Sequence, residues 1–195
     1  HKNRFLTFEG GYHGDTFGPM SIVPDPEFHW PFENLLPEPV QVPFPHVKDW
    51  SGTNDPDRVL SEALENVESA IDEHEGELAA LVVEPIQGAG GMITPPDGFL
   101  GGLRELTRNR DLFLMVDEVA TGFGRTGDMF ACDREGITPD IMTLGKGITG
   151  GYLPVAATMA TQTIYDQFLG ERKEGLLHGH SYTGNALGCA AAMAS

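Results

Sequence analysis

The chain has 195 residues, with 29 Asp and Glu against 12 Lys and Arg, a formal net charge of −17. That balance argues against a basic face for nucleic acid and against docking on an anionic membrane. Length and a hydrophobic share of 40% fit a globular chain of about one large domain with a real core.

Only four residues are lysines, Lys2, Lys48, Lys146 and Lys173. An acid-rich, Lys-poor surface suits solubility, also in high salt, where self-repulsion is screened. Two cysteines, Cys132 and Cys189, make no disulfide framework and read as reduced thiols of a cytoplasmic protein. The densest apolar runs, such as Leu78 to Val83, are far too short to span a bilayer. The chain opens on His1 and closes on Cys189-Ala-Ala-Ala-Met-Ala-Ser195, which reads as a helix cut in mid-course and as a fragment of something longer.

The stretch from Pro19 to Trp50 holds eight of the 14 prolines, interleaved with aromatics. It is expected to be irregular, extended and packed over the surface. A helix follows. Asp55 is its cap, Pro56 its first residue, and Val59, Leu60, Ala63, Leu64, Val67 and Ile71 recur at helical spacing up to an end near Gly76. Strand and helix then alternate. Leu78–Val83, Leu112–Val116 and Ile141–Leu144 are short apolar runs, and Phe99–Arg110 reads as a helix between the first two. Fully apolar runs suit strands buried on both faces of a parallel sheet, so the fold class is α/β.

The three runs end in Glu84, Asp117 and Lys146, which stand 33 and 29 residues apart, each about one βαβ unit. Ligands of open parallel sheets bind beyond the carboxyl ends of the strands, so two acids and a lysine are expected in one crevice. Lys146 lies between two glycines at a strand end. Desolvation lowers a lysine's pKa and makes its amine a nucleophile able to form a Schiff base with an aldehyde, and a nearby carboxylate such as Asp117 suits a cationic ring nitrogen. Spacing alone leaves the alternative open: a turn lysine, with Asp117 and Glu118 as helix-start acids.

Five motifs occur in order: Gly11-Tyr-His-Gly-Asp-Thr-Phe-Gly18, Glu84-Pro-Ile-Gln-Gly-Ala-Gly-Gly91, Asp117-Glu-Val-Ala-Thr-Gly-Phe-Gly-Arg-Thr-Gly127, Leu144-Gly-Lys-Gly-Ile-Thr-Gly-Gly151 and His178-Gly-His-Ser-Tyr-Thr-Gly-Asn185. Together they resemble the class III aminotransferases, pyridoxal-phosphate enzymes of fold type I. The resemblance spans essentially the whole chain. It implies a mostly parallel mixed sheet sandwiched by helices, with residues 1–195 forming part of the large cofactor-binding domain and the upstream phosphate loop and the small domain lying outside them. It also implies that Lys146 carries pyridoxal 5'-phosphate as a Schiff base and shuttles the proton. Asp117 would then pair with the ring nitrogen, Tyr12 would stack on the ring and Glu84 would orient the site. His13, beside Tyr12, is expected to give a supporting hydrogen bond. Ser181, where relatives usually have Thr, would reach the cofactor phosphate of a neighbouring subunit. A homodimer with small-molecule substrates is implied for the complete protein, and an inactive isolated piece.

Other residues are less telling. His178 and His180 lack companion ligands for a metal. Gly88-Ala-Gly-Gly91 lacks the third glycine of a dinucleotide fingerprint, and Gly147 stands where a P-loop needs Ser or Thr. Arg125 is evenly open to a role toward substrate or a subunit neighbour and to a loop-ordering ion pair.

Ala89 and Ala120 stand where ornithine-, acetylornithine- and 4-aminobutyrate-type members usually carry Glu and Gln. The motifs look most like the branch that makes 7,8-diaminononanoate in biotin synthesis. That likeness implies a donor of S-adenosylmethionine type, or lysine in some relatives, and a long keto-amine acceptor. The alternatives are another class III ω-aminotransferase using a different amine and pyruvate, a glutamate-1-semialdehyde aminomutase-like isomerase, and a non-catalytic paralogue. The Gly-Phe-Gly-Arg-Thr-Gly loop argues against the isomerase, and intact Lys146 and Asp117 argue against the paralogue.

Overall fold

Apolar runs become strands of one sheet in the computed structural model, which describes residues 2–25, 27–50 and 52–195. The chain runs β1 (Arg4–Phe8), α1 (Phe17–Ile22), β2 (Val40–Val42), α2 (Pro56–Glu73), β3 (Leu78–Val83) and α3 (Phe99–Asn109). It continues through β4 (Phe113–Asp117), α4 (Ala131–Arg134), β5 (Ile141–Leu144), β6 (Ala157–Ala160), α5 (Gln162–Asp166) and α6 (Ala186–Ala194). The spatial order is β2-β1-β3-β4-β5-β6, parallel throughout except for β6, which pairs antiparallel with β5. The mostly parallel mixed sheet inferred from the resemblance is therefore present.

Strand order fixes where a ligand can enter. From β1 the chain moves outward to β2, and then returns to place β3 on the other side of β1. Connections leaving β1 and β3 diverge, and the diverging loops open a crevice at the carboxyl ends of these strands.

One face of the sheet is closed by α2 and α3. Asp55 caps α2 by accepting the Asp57 N–H at 3.2 Å, and Val59, Ala63, Val67 and Ile71 are buried along one stripe. Beneath them lie Leu6, Phe8, Leu81, Val83, Leu114 and Val116. Phe8, Phe44 and Phe99 meet edge to face, with centroids 5.5–5.7 Å apart. The opposite face is covered at β1, where the Thr7 hydroxyl donates to the Ile22 carbonyl at 2.8 Å. Further along, Phe113 on that same face is exposed, so β4 is not buried on both sides as its sequence suggests.

The proline-rich stretch departs from the expectation of an irregular, extended segment. Pro19 is accommodated in the first turn of α1, Trp30–Leu35 forms a 3-10 helix, and β2 is a three-residue edge strand bracketed by Pro39 and Pro43. Pro26 lies outside the described residues. The ends of the stretch are anchored by buried Met20, Val23, Val40, Val42 and Phe44, but Phe28, Trp30 and Leu35 face solvent and do not pack it down. Among the described residues, no helix is long and apolar enough to cross a membrane.

Candidate active site

Loops after β1, β3, β4 and β5 enclose a cavity of about 750 Å³. Tyr12, His13, Glu84, Asp117 and Lys146, five of the six site residues expected from sequence, line it. Ser181 does not. It is exposed in the turn before α6 and outside the cavity lining.

Asp117 ends β4, and its side chain is only 11% exposed. His13 Nδ1 lies 2.8 Å from Oδ2, and the Val119 N–H donates to Oδ1 at 3.0 Å. Burial pushes this carboxyl up, but hydrogen bonding and charge from His13, the Val119 N–H and the Thr143 side chain outweigh it, and the net result is below the ordinary carboxylate value. Asp117 is thus an anion held inside a cavity.

Glu84 follows β3 and is buried. Its Oε1 accepts the Tyr12 N–H at 2.9 Å and its Oε2 accepts the Gly88 N–H at 3.1 Å. Both oxygens are spent on backbone, so Glu84 ties the β1 loop to the β3 loop.

Lys146 follows β5 and is exposed within this chain. It takes a left-handed φ of 41°, a conformation that costs a side-chain-bearing residue roughly 1 kcal/mol or more. The flanking glycines serve a different purpose from turning. A Cβ on Gly145 would stand 3.2 Å from Val119 Cγ1, and one on Gly147 would stand 3.0 Å from Phe123 Cβ. The glycines make room for the β4 loop, and the lysine bears the strain.

That loop is held from behind by Glu118, which is fully buried. Glu118 accepts the Cys132 N–H at 2.9 Å and the Thr121 hydroxyl. Burial and the Glu118 charge push the Cys132 thiol far up, so it is an unreactive packing residue.

Sequence reasoning missed several lining residues. Met92 stands at the cavity in a left-handed conformation, φ 56°. Thr126 lines the wall, and its buried hydroxyl has no hydrogen-bond partner among the described residues. The Gly-rich motif around Arg125 pointed to this loop without singling out Thr126. Arg125 also lines the cavity, and neither it nor Lys146 makes an ion pair among the described residues. His180 Nδ1 accepts the Tyr182 N–H at 3.1 Å as part of a local turn. Among the described residues, no group of three or more His, Cys, Asp and Glu is placed to hold a metal ion.

A cavity offering an ionised acid, a free amine and an aromatic ring fits an aromatic aldehyde cofactor with a basic ring nitrogen. Comparison with known proteins gives the same direction. The family described as aminotransferase class-III matches residues 1–195. The adenosylmethionine-8-amino-7-oxononanoate aminotransferase of Geobacter sulfurreducens is 53% identical over the whole chain, which covers 44% of that relative. The same-named protein of Aquifex aeolicus is 46% identical, with 100% and 44% covered. Among solved structures, an amine transaminase from an uncultivated Pseudomonas species, described as PLP-bound in its internal aldimine form, has a TM-score of 0.93 at 36% identity, with 99% of this chain and 44% of that one covered. The adenosylmethionine-8-amino-7-oxononanoate aminotransferase of Methanocaldococcus jannaschii has a TM-score of 0.86 at 42% identity, with 99% and 43% covered. The chain thus spans less than half the length of these relatives.

Proposed function

The chain belongs to the class-III aminotransferases, and on that premise we propose that the whole protein binds pyridoxal 5'-phosphate and moves an amino group onto 8-amino-7-oxononanoate, giving 7,8-diaminononanoate. The observation that carries this reading is the single cavity in which Tyr12, Asp117 and Lys146 converge from the ends of β1, β4 and β5. The names of the curated relatives, 46–53% identical for the two cited, support the substrate and a donor of S-adenosylmethionine type. Residues 1–195 form part of the large cofactor-binding domain, and this segment alone is expected to be inactive.

When bound, the cofactor supplies an electron sink for charge developing at the substrate Cα. The chain's residues do the rest. Lys146 Nζ would hold the cofactor aldehyde and would serve as the general base and acid that takes and returns the proton at the substrate Cα. Asp117, kept anionic, holds a proton on the ring nitrogen. His13 fixes the Asp117 carboxylate in place. Tyr12 would stack on the ring and exclude water, and Glu84 holds the Tyr12 backbone in place.

A homodimer completes the site. Leu176, Leu177, Tyr182, Leu187 and Met193, in the stretch of chain that holds Ser181, are all exposed, which supports a covering subunit there and a role for the Ser181 hydroxyl toward a partner's cofactor phosphate. The two unpaired thiols support a cytoplasmic location.

Backbone likeness does not separate this reaction from that of a general amine transaminase. The deciding experiment incubates the full-length protein with 8-amino-7-oxononanoate and a panel of donors including S-adenosylmethionine and lysine. Diaminononanoate formation is expected. Turnover of simple amines with pyruvate, and none of the keto-amine, would replace this reading with the ω-aminotransferase one. Lys146→Ala is expected to lose the visible absorbance of covalently held cofactor, and an unchanged spectrum would remove Lys146 from its role.

A further inference from the structure

His29 is buried at 4% exposure between Phe28 and Trp30, which are 72% and 66% exposed. A segment that turns two large aromatics to water and its imidazole inward reverses the hydrophobic order. Such burial is unfavourable unless both ring nitrogens find partners. They do. The Asp25 N–H donates to His29 Nδ1 at 2.9 Å, and Nε2 lies 3.3 Å from Asp15 Oδ1. Because Nδ1 accepts, the proton of a neutral ring sits on Nε2 and is donated to Asp15. The other Asp15 oxygen, Oδ2, accepts the Tyr12 hydroxyl at 2.9 Å.

We propose that His29 is a positioning residue that acts through Asp15 to set the angle of the Tyr12 ring over the cofactor site. The Asp15 side chain is 70% exposed and would otherwise swing in solvent, whereas two donors on its two oxygens hold it in one rotamer. Tyr12 is then clamped at both ends, by Glu84 at its N–H and by Asp15 at its hydroxyl. The electrostatics agree. Hydrogen bonds from Tyr12 and then His29 hold the Asp15 carboxyl below its ordinary value, and the bond to Asp15 raises the Tyr12 phenol.

This inference rests on the proposal that Tyr12 stacks on pyridoxal phosphate, and the test separates the two. In the full-length protein, His29→Asn keeps an acceptor for the Asp25 N–H but removes the donor to Asp15, while His29→Gln keeps a donor near the Nε2 position. His29→Asn is expected to weaken the circular dichroism of the bound cofactor and to lower kcat about tenfold, with KM nearly unchanged. His29→Gln recovers most of both. In a Tyr12→Phe background, His29→Asn adds nothing further. Equal effects of Asn and Gln, or a full effect persisting without the Tyr12 hydroxyl, would overturn the relay. Nitrogen-15 spectra of histidine in the unsubstituted protein give a check free of folding artefacts. A protonated Nδ1 with a bare Nε2 at His29 would overturn it as well. Absence of any visible cofactor band in the unsubstituted protein would sink the cofactor reading instead, and the tautomer measurement would still decide the relay.

Discussion

The two ends of the sheet use charge in opposite ways. At the amino ends of the strands, a cavity of about 340 Å³ is lined by Lys2, Asp72, His74, Glu75, Arg108, Arg110 and Asp111. There Lys2 pairs with Asp111, and Arg110 with Glu68 and Asp72, while Arg4 and His74 share Glu77. At the carboxyl ends, Asp117 is held by His13 and backbone, while Lys146 and Arg125 face the cavity without an acidic partner among the described residues. Charges that satisfy each other contribute a little stability. Charges left unsatisfied inside a concave wall are available to a ligand, which is how the two rims differ in purpose although both are ionic.

The largest expected effect that would break this contrast is at Asp117. In the full-length protein, Asp117→Asn should lower turnover about a thousandfold while the folded structure persists, measured by steady-state kinetics and circular dichroism. A core substitution comes next, because both rims hang on the same packing. Phe99→Ala should cost about 3–5 kcal/mol in denaturant unfolding, since Phe99 is fully buried against Phe8 and Phe44. The pH dependence of Asp117 sharpens the comparison. Its native value lies below 3.8, so its stabilising contacts are present above that value and fade as pH falls through the lower native one. Unfolding free energies of the unsubstituted and Asp117→Asn proteins should therefore differ at pH about 6 and converge in strong acid. A gap that stays constant with pH would assign the difference to packing.

Smaller effects belong to the other rim and to the thiols. Arg110→Ala should change stability by about 1 kcal/mol or less and leave turnover unchanged, because its side chain and both its acids are substantially solvated. In the isolated 195-residue chain, a thiol reagent should modify exposed Cys189 and spare Cys132. Rapid labelling of Cys132 would mean that the loop held by Glu118 opens.

The sequence shows most of what is continuous and apolar. Strands β3, β4 and β5 and helices α2 and α3 are legible because burial writes long apolar runs or a helical stripe. Strand β1 mixes Arg4 and Thr7 into its five residues, β2 is three residues hidden between prolines, and β6 is an edge strand with largely exposed side chains. None of these carries a local signature. In the site, Glu84, Asp117 and Lys146 are visible from strand ends, while Tyr12 and His13 are visible only through motif resemblance. Thr126 and Met92 at the wall, and Asp15 and His29 behind Tyr12, become visible only once distant loops are brought together.

The left-handed backbone of Lys146 has a consequence for stability. Glycine occupies that conformation freely, so Lys146→Gly should melt higher than Lys146→Ala in a chain that has lost its chemistry either way. Backbone thermodynamics at this position therefore favours glycine over lysine. A lysine at φ 41° is thus held against the preference of its own backbone, and the difference in melting midpoint between the two variants measures that preference.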